Sequence, residues 1–247
     1  MAFTPPPVFA RWWAMAEACS GTTGSLESVA FYVVPNAASF QRNNAAVLGY
    51  WTSGGNQIVL AGNASLDGGN VRHEMLHALL RVGGHPRDQF LEKCGGTVDC
   101  GIECIADAGA APAADPAALS VAPTALAVTV DVAPSAPTTS QDGGFFTVTV
   151  NVRNSATRPV IARLGPTNAR ALSFQYDVRG PTGGITGAKE VLDASTVTFA
   201  AGETKHQVFD FSIGTDLLAR KLPPGAYTVR TAYGANFTAP VPVTVGP

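Results

Sequence analysis

The stretch from Ala106 to Pro123 limits most strongly what this chain can fold into. It is dominated by Ala, Pro, Asp and Gly, holds no aromatic residue, and its apolar residues follow neither a helical nor a strand period. Nothing in it can build a packed face, so it reads as a linker. All four cysteines, all three tryptophans and three of the four histidines precede it, whereas the residues after it are rich in Thr and Val. At 247 residues the chain is also long for a single core. The expectation is an α+β chain of two unlike domains, residues 1–105 and 124–247, joined by 106–123.

In the first domain, Val8 to Ala18 carries Phe9, Trp12, Trp13 and Met15 without a breaker and reads as an amphipathic helix. Val29 to Val34 is β-branched and aromatic, a strand stopped by Pro35-Asn36. Val47 to Trp51 and Gln57 to Ala61 flank the turn Ser53-Gly54-Gly55-Asn56 and read as a hairpin. Val71 to Val82 has no Pro or Gly and follows the capping side chains of Asp67 and Asn70, which predicts a helix stopped by Gly83-Gly84. Pro86 suits the first turn of a second short helix running to about Lys93.

After the linker, strand-like runs recur: Ala125–Val132, Phe145–Val152, Val160–Leu164, Leu172–Val178, Val197–Ala200, His206–Ile213, Ala226–Tyr233 and Phe237–Val245. Short strands that each need one buried face pair antiparallel into two facing sheets, so an immunoglobulin-like β-sandwich is expected, without the Cys and Trp hallmarks of antibody domains.

Hydrophobic residues make up 46% and charged residues 14%, which places the chain among packed proteins. Lys and Arg number 16 against 18 for Asp and Glu, and no basic run occurs, which argues against nucleic acid as a partner. No apolar run approaches the roughly 18 residues of a membrane span, and the N-terminus lacks the order of a signal peptide. Cys19, Cys94, Cys100 and Cys104 lack the paired CxxC spacing of a four-cysteine zinc site. Two disulfides are the expectation, with three pairings open, and with them a secreted or periplasmic location.

The chemistry concentrates in His73-Glu74-Met75-Leu76-His77. Residues four apart on a helix share a face, so His73 and His77 can direct two imidazoles at one metal ion while Glu74 stands beside them, placed to act as general base. Neutral imidazoles suit Zn2+, and a catalytic zinc takes a third protein ligand and keeps its fourth position open. His85, Asp88 and Glu92 are the downstream candidates. The helix climbs about 7.5 Å beyond His77, and three extended residues return about 10 Å, so His85 can reach back through the flexible Gly83-Gly84 pair. Glu92 is the alternative if the following helix runs back along the first, and Asp88 is the weakest because its side chain is short. The metal set is therefore His73, His77 and His85, with Glu74 as the catalytic base. Tyr32, Tyr50 and Arg81 are possible oxyanion donors to which no role is assigned. His206 reads as an ordinary histidine.

The segment from His73 to Cys94 resembles the zincin metallopeptidases, and within them the SprT-like group, which pair HExxH with a later Gly-His-x-x-x-Phe-like segment. The resemblance covers 22 residues and implies the same roles for His73, Glu74, His77 and His85, with Phe90 one residue later than the aromatic of that pattern. Leu80 and Gly83 depart from the metzincin pattern. In zincins a strand ahead of the motif helix binds substrate as an added strand. Gln57 to Ala61 is similarly placed, which implies β-augmentation by a protein or peptide substrate. Val148 to Ser155 and Leu222 to Val229 are similar to immunoglobulin-like modules related to the BsuPI proteinase-inhibitor domain, which implies an accessory role. The leading expectation is a zinc endopeptidase. Its competitors are a non-catalytic binding or surface protein with a structural zinc, and a hydrolase of non-peptide amides.

Overall fold

Pro7 has no amide hydrogen to offer, and helix α1 (Val8–Ser20) begins directly after it, where none is needed. It ends on Gly21, whose φ of 72° reverses the chain. The computed structural model describes residues 1–109, 117–163, 173–181, 183–190, 196–214 and 220–247, and combines helices and strands in two compact units, Met1–Ala110 and Ala111–Pro247.

In the first unit, strands β1 (Ala30–Val34), β2 (Phe40–Arg42), β3 (Ala45–Val47), β4 (Gly49–Thr52) and β5 (Gln57–Ala61) precede helix α2 (Gly68–Leu80). The main sheet runs β1-β5-β4, with β1 parallel and β4 antiparallel to β5, while β2 and β3 pair as a separate hairpin. The register aligns Phe31, Ile58 and Trp51 on one buried face. Phe9 of α1 packs on that face, its ring 5.3 Å from Phe31. Each such buried apolar side chain contributes about 1.5–3 kcal/mol. Arg72 is buried on α2, where its Nε donates to the Thr97 carbonyl at 2.6 Å and its guanidinium lies 5.9 Å from the Trp12 ring, so α2 is bound to α1 and to the later loop by one side chain.

Helix α2 departs from the expected limits. It starts at Gly68 and stops at Leu80, because Arg81 takes a left-handed φ of 59° two residues before the glycine pair. The turn is held from inside: His77 Nδ1 lies 2.8 Å from the Val82 carbonyl. The expected second helix is a π-helical turn, Asp88–Lys93, and a further helix, α3 (Ile102–Ala108), follows. Of the stretch 106–123 read as a linker, Ala106 to Ala108 complete α3 and Leu119–Val121 form a strand, while residues 110–116 lie outside the described residues. Ala-rich sequence carries no apolar period to reveal such ends.

Both disulfides are in this unit. Cys19–Cys94 joins residues 75 apart and Cys100–Cys104 joins residues 4 apart. Loop-closure entropy assigns about 4.5 kcal/mol to the first and about 2 kcal/mol to the second, so the long bridge carries most of the covalent stabilisation. Among the described residues no helix is long and apolar enough to cross a membrane.

The second unit holds β6 (Leu119–Val121), β7 (Ala127–Ala133), β8 (Phe145–Arg153), β9 (Val160–Arg163), β10 (Ser173–Gly180), β11 (Gly183–Glu190), β12 (Thr196–Phe199), β13 (Thr204–Ile213), β14 (Lys221–Leu222), β15 (Gly225–Tyr233), β16 (Asn236–Phe237) and β17 (Val241–Val245). They form sheets ordered β14-β13-β8-β7, β12-β9-β6 and β11-β10-β15-β16, with β17 also on β15. Period-two burial of Phe146, Val148, Val150 and Val152 on β8 faces a shared core. Tyr176 on β10 meets Phe209 and Phe211 on β13 at 4.7 and 5.1 Å, so two of the sheets close on each other. Strands β6, β11 and β14 were not expected. Gly183-Gly184 and Gly187 hid β11, although its partner strand needs those gaps: a Cβ at Gly187 would lie 2.4 Å from the Tyr176 ring. The expected run Phe237–Val245 is two strands, and Leu164 and Leu172 lie outside the described residues.

Candidate metal centre

Helix α2 carries His73 and His77 one turn apart on a buried face, and the chain reversal after Arg81 brings His85 to them. His73 Nε2 lies 3.2 Å from His77 Nε2 and 3.2 Å from His85 Nε2. The three ring centroids stand 4.9–5.0 Å from one another, an almost equilateral triangle. Each outward nitrogen has an acceptor at 2.8 Å: the Asp99 carbonyl for His73 Nδ1, the Val82 carbonyl for His77 Nδ1, and Asp107 Oδ2 for His85 Nδ1. Carbonyl and carboxylate oxygens only accept, so these three contacts are made by a protonated Nδ1, and the Nε2 atoms are the ring nitrogens that face one another.

Ring nitrogens 3.2 Å apart are compatible with a cation or a shared proton between them. Burial opposes the proton, pushing His77 down from 6.5 to about 4 against the opposing pull of the Val82 carbonyl. A tetrahedral zinc bonded to imidazole nitrogens sets them roughly 3.3 Å apart, which matches the 3.2 Å spacing here. His73, His85 and Cys104 also form a group whose donor atoms lie within 4.8 Å of one another and could hold a metal ion. The Cys104 sulfur is bonded to Cys100, however, which removes it as a thiolate ligand and leaves the imidazoles of that group. Phe90, fully buried, packs on His73, His77 and His85 at 5.2, 4.6 and 5.0 Å and covers one face of the triangle.

Glu74 lies beside this triangle and is buried. Desolvation raises its carboxyl from 4.5 to about 8, opposed by the charge of Arg42 and by the backbone N–H of Trp51. Gly49 leaves the room: a Cβ there would lie 3.1 Å from Glu74 Cγ and 3.3 Å from Oε1. Glu92 and Asp88 stand outside the cluster, Glu92 3.6 Å from Arg87 and Asp88 3.9 Å from Lys93, both half exposed.

The strand expected to take substrate requires correction. Gln57–Ala61 is the central strand β5, paired with β1 on one side and β4 on the other, so its backbone groups are already committed. The edge beside α2 is β4 instead. The parallel β1–β5 pairing that buries β5 is non-local and leaves no trace in the residues of either strand. Tyr50 is stacked under Arg42 at 4.0 Å, Tyr32 bridges to Ala2, and Arg81 caps α2. His206 lies on β13 opposite Asn151 in the second unit. Sequence reasoning missed Arg42, Asp107 and the Asp99 carbonyl. A carboxylate 22 residues after His85 has no spacing rule that would flag it, and a backbone carbonyl has no signature at all.

No family model and no curated protein matches this chain. Among solved structures it is similar to the Pseudomonas fluorescens alkylpurine DNA glycosylase AlkC bound to DNA containing an abasic site analog, at 15% identity over 50% of this chain and 31% of that one, with a TM-score of 0.33. A beta-glucosidase from Listeria innocua matches at 16% identity over 49% of this chain and 16% of that one, with a TM-score of 0.30. The putative ApaA protein from Bordetella pertussis matches at 19% identity over 51% of this chain and 98% of that one, with a TM-score of 0.28. The chain thus spans less than a third of the first two, and similarities this low carry no argument about fold or activity.

Proposed function

We propose that this chain is a zinc-dependent endopeptidase of the zincin type, whose second unit is an immunoglobulin-like accessory module. The observation that carries this reading is that His77 Nε2 and His85 Nε2 both lie 3.2 Å from His73 Nε2, on and beside the helix that buries Glu74. Nitrogen donors suit Zn2+ and not the oxygen-seeking Ca2+ or Mg2+, and three protein ligands leave a position open. When bound at His73, His77 and His85, zinc polarises a carbonyl and acidifies water. Without a neighbouring cation, burial holds Glu74 protonated; a dication beside it would favour its carboxylate, which could then take a proton from the attacking water and return it to the leaving amide nitrogen. An extended peptide pairs along the free edge of β4, whose Trp51 N–H already supports Glu74. Both disulfides suit an oxidising compartment, hence secretion or the periplasm.

Metal analysis and a peptide-library digest test this together. The expected result is about one zinc per chain, chelator-sensitive hydrolysis, and a loss of roughly 10²–10⁴-fold in Glu74→Gln with zinc retained. Full activity in that variant refutes the mechanism. A zinc-loaded wild type that cleaves no peptide favours the binding-protein reading, and cleavage confined to small non-peptide amides favours the third.

A further inference from the structure

The Cys100–Cys104 bridge closes the shorter loop of the two and adds the smaller share of covalent stabilisation, yet it sits against the imidazole triangle. Cys100 Sγ lies 4.0 Å from His73 Nδ1, and both cysteines are buried in one cluster with Phe90. The bridge lies between two groups that orient ligands, the Asp99 carbonyl on His73 and the Asp107 carboxylate on His85. These two are not equally secured. Asp99 is also fixed to α2 through its own amide, which donates to the Gly69 carbonyl at 3.0 Å, and its carboxylate occupies the space where a Gly69 Cβ would stand. Asp107 is more than half exposed at the end of the seven-residue α3, a helix too short to hold its own place. Besides the disulfide and the packing of Cys104 against Leu76 and Phe90, this end is tied by the His85–Asp107 contact itself and by the Arg87 Nη1 bond to the Gly109 carbonyl at 2.9 Å.

We propose that the Cys100–Cys104 disulfide is a redox-sensitive positioning element for the metal centre, acting through α3 and Asp107 on His85. An external dithiol would pass two electrons and two protons to the bridge, leaving Cys100 and Cys104 as thiols and departing as a disulfide. Segment 100–109 then loses its covalent tie, Asp107 leaves His85 Nδ1, and the third imidazole loses its fixed tautomer and orientation. Metal affinity therefore depends on compartment: the chain loads zinc after the bridge forms and holds it weakly under reducing conditions. This rests on the metal-centre reading above and specifies how that site is regulated.

The test is a set of metal affinities, measured by chelator competition with Zn2+ and by the visible spectrum of the Co2+-loaded protein. Cys100→Ser/Cys104→Ser is expected to weaken affinity by about 10–100-fold, and Asp107→Ala by a similar factor. Because both act through one contact, the triple variant should be no weaker than the weaker of the two parents. A separate variant, Cys19→Ser/Cys94→Ser, should lower the unfolding midpoint more while changing affinity less. Where a variant fails to fold, wild type reduced by a thiol-free phosphine, freed of reductant and mapped by alkylation of a parallel sample to show which bridge opened, gives the same reading. Unchanged affinity, full additivity with Asp107→Ala, or tighter binding with a thiolate-to-cobalt charge-transfer band would each overturn the proposal while leaving the metal centre standing. Absence of metal binding in oxidised wild type would defeat the metal-centre reading itself.

Discussion

The two units solve burial in opposite ways. In the second, the interior is built from Phe, Tyr and Val on alternating strand positions, and among the described residues its buried polar side chains are uncharged: Thr147, Asn154, Gln207 and Thr231. In the first, Arg72, His73, Glu74 and His77 are buried within two turns of one helix. Ionisable groups removed from water cost free energy unless they are paired or bound. Arg72 is answered by the Thr97 carbonyl, each histidine by an oxygen at Nδ1, and the Nε2 atoms of His77 and His85 by that of His73. The contrast separates a unit with an apolar and uncharged interior from a unit that buries four ionisable side chains on one helix.

Phe211→Ala should show the packing side at its largest. Phe211 is buried between Phe146 and Tyr176, at ring distances of 5.3 and 5.1 Å, so the loss should be about 3–5 kcal/mol in the unfolding of the second unit, with metal content unchanged. His77→Ala should do the reverse. Spread over its ligands, zinc binding assigns about 3 kcal/mol to each, so affinity should fall roughly 100-fold while the unfolding of the second unit stays as it was. Gly49→Ala should cost about 1–3 kcal/mol through the clash with Glu74, and displace that carboxylate enough to lower hydrolysis while zinc stays bound.

The smallest effect is a pH signature of the metal-free first unit. Glu74 is raised from 4.5 to about 8, so its contribution to stability is complete below 4.5 and is lost as pH rises towards 8. His77 is lowered from 6.5 to about 4, so its contribution is complete above 6.5 and is lost as pH falls towards 4. The two slopes oppose each other between 4.5 and 6.5, which should give a plateau there and a decline on either side. Denaturant midpoints measured across pH in chelator check it. A monotonic rise through pH 8 would contradict the buried, neutral Glu74.

What was legible in the sequence followed from local periodicity. The four-residue spacing of His73 and His77 placed both on one helical face, and the glycine pair after Val82 allowed His85 to return, which is where the structure puts it. What was hidden depends on contacts between distant residues. Nothing in Gln57–Ala61 distinguishes a central strand from an edge, since the difference is made by β1, more than twenty positions earlier in register. Helix α2 stops before its glycines for a local reason that no periodicity shows: the Val82 carbonyl meets the His77 ring, which accompanies the positive φ of Arg81. The choice among three cysteine pairings likewise waits on the fold that brings α1 to Cys94.

Phe90 touches all three imidazoles from one side of their triangle. On the proposed reading that side is closed to both ion and peptide, so loading and turnover would compete for the same approach. A bound ligand would then slow the ion's escape, and the rate at which a chelator strips metal would report how long the ligand stays.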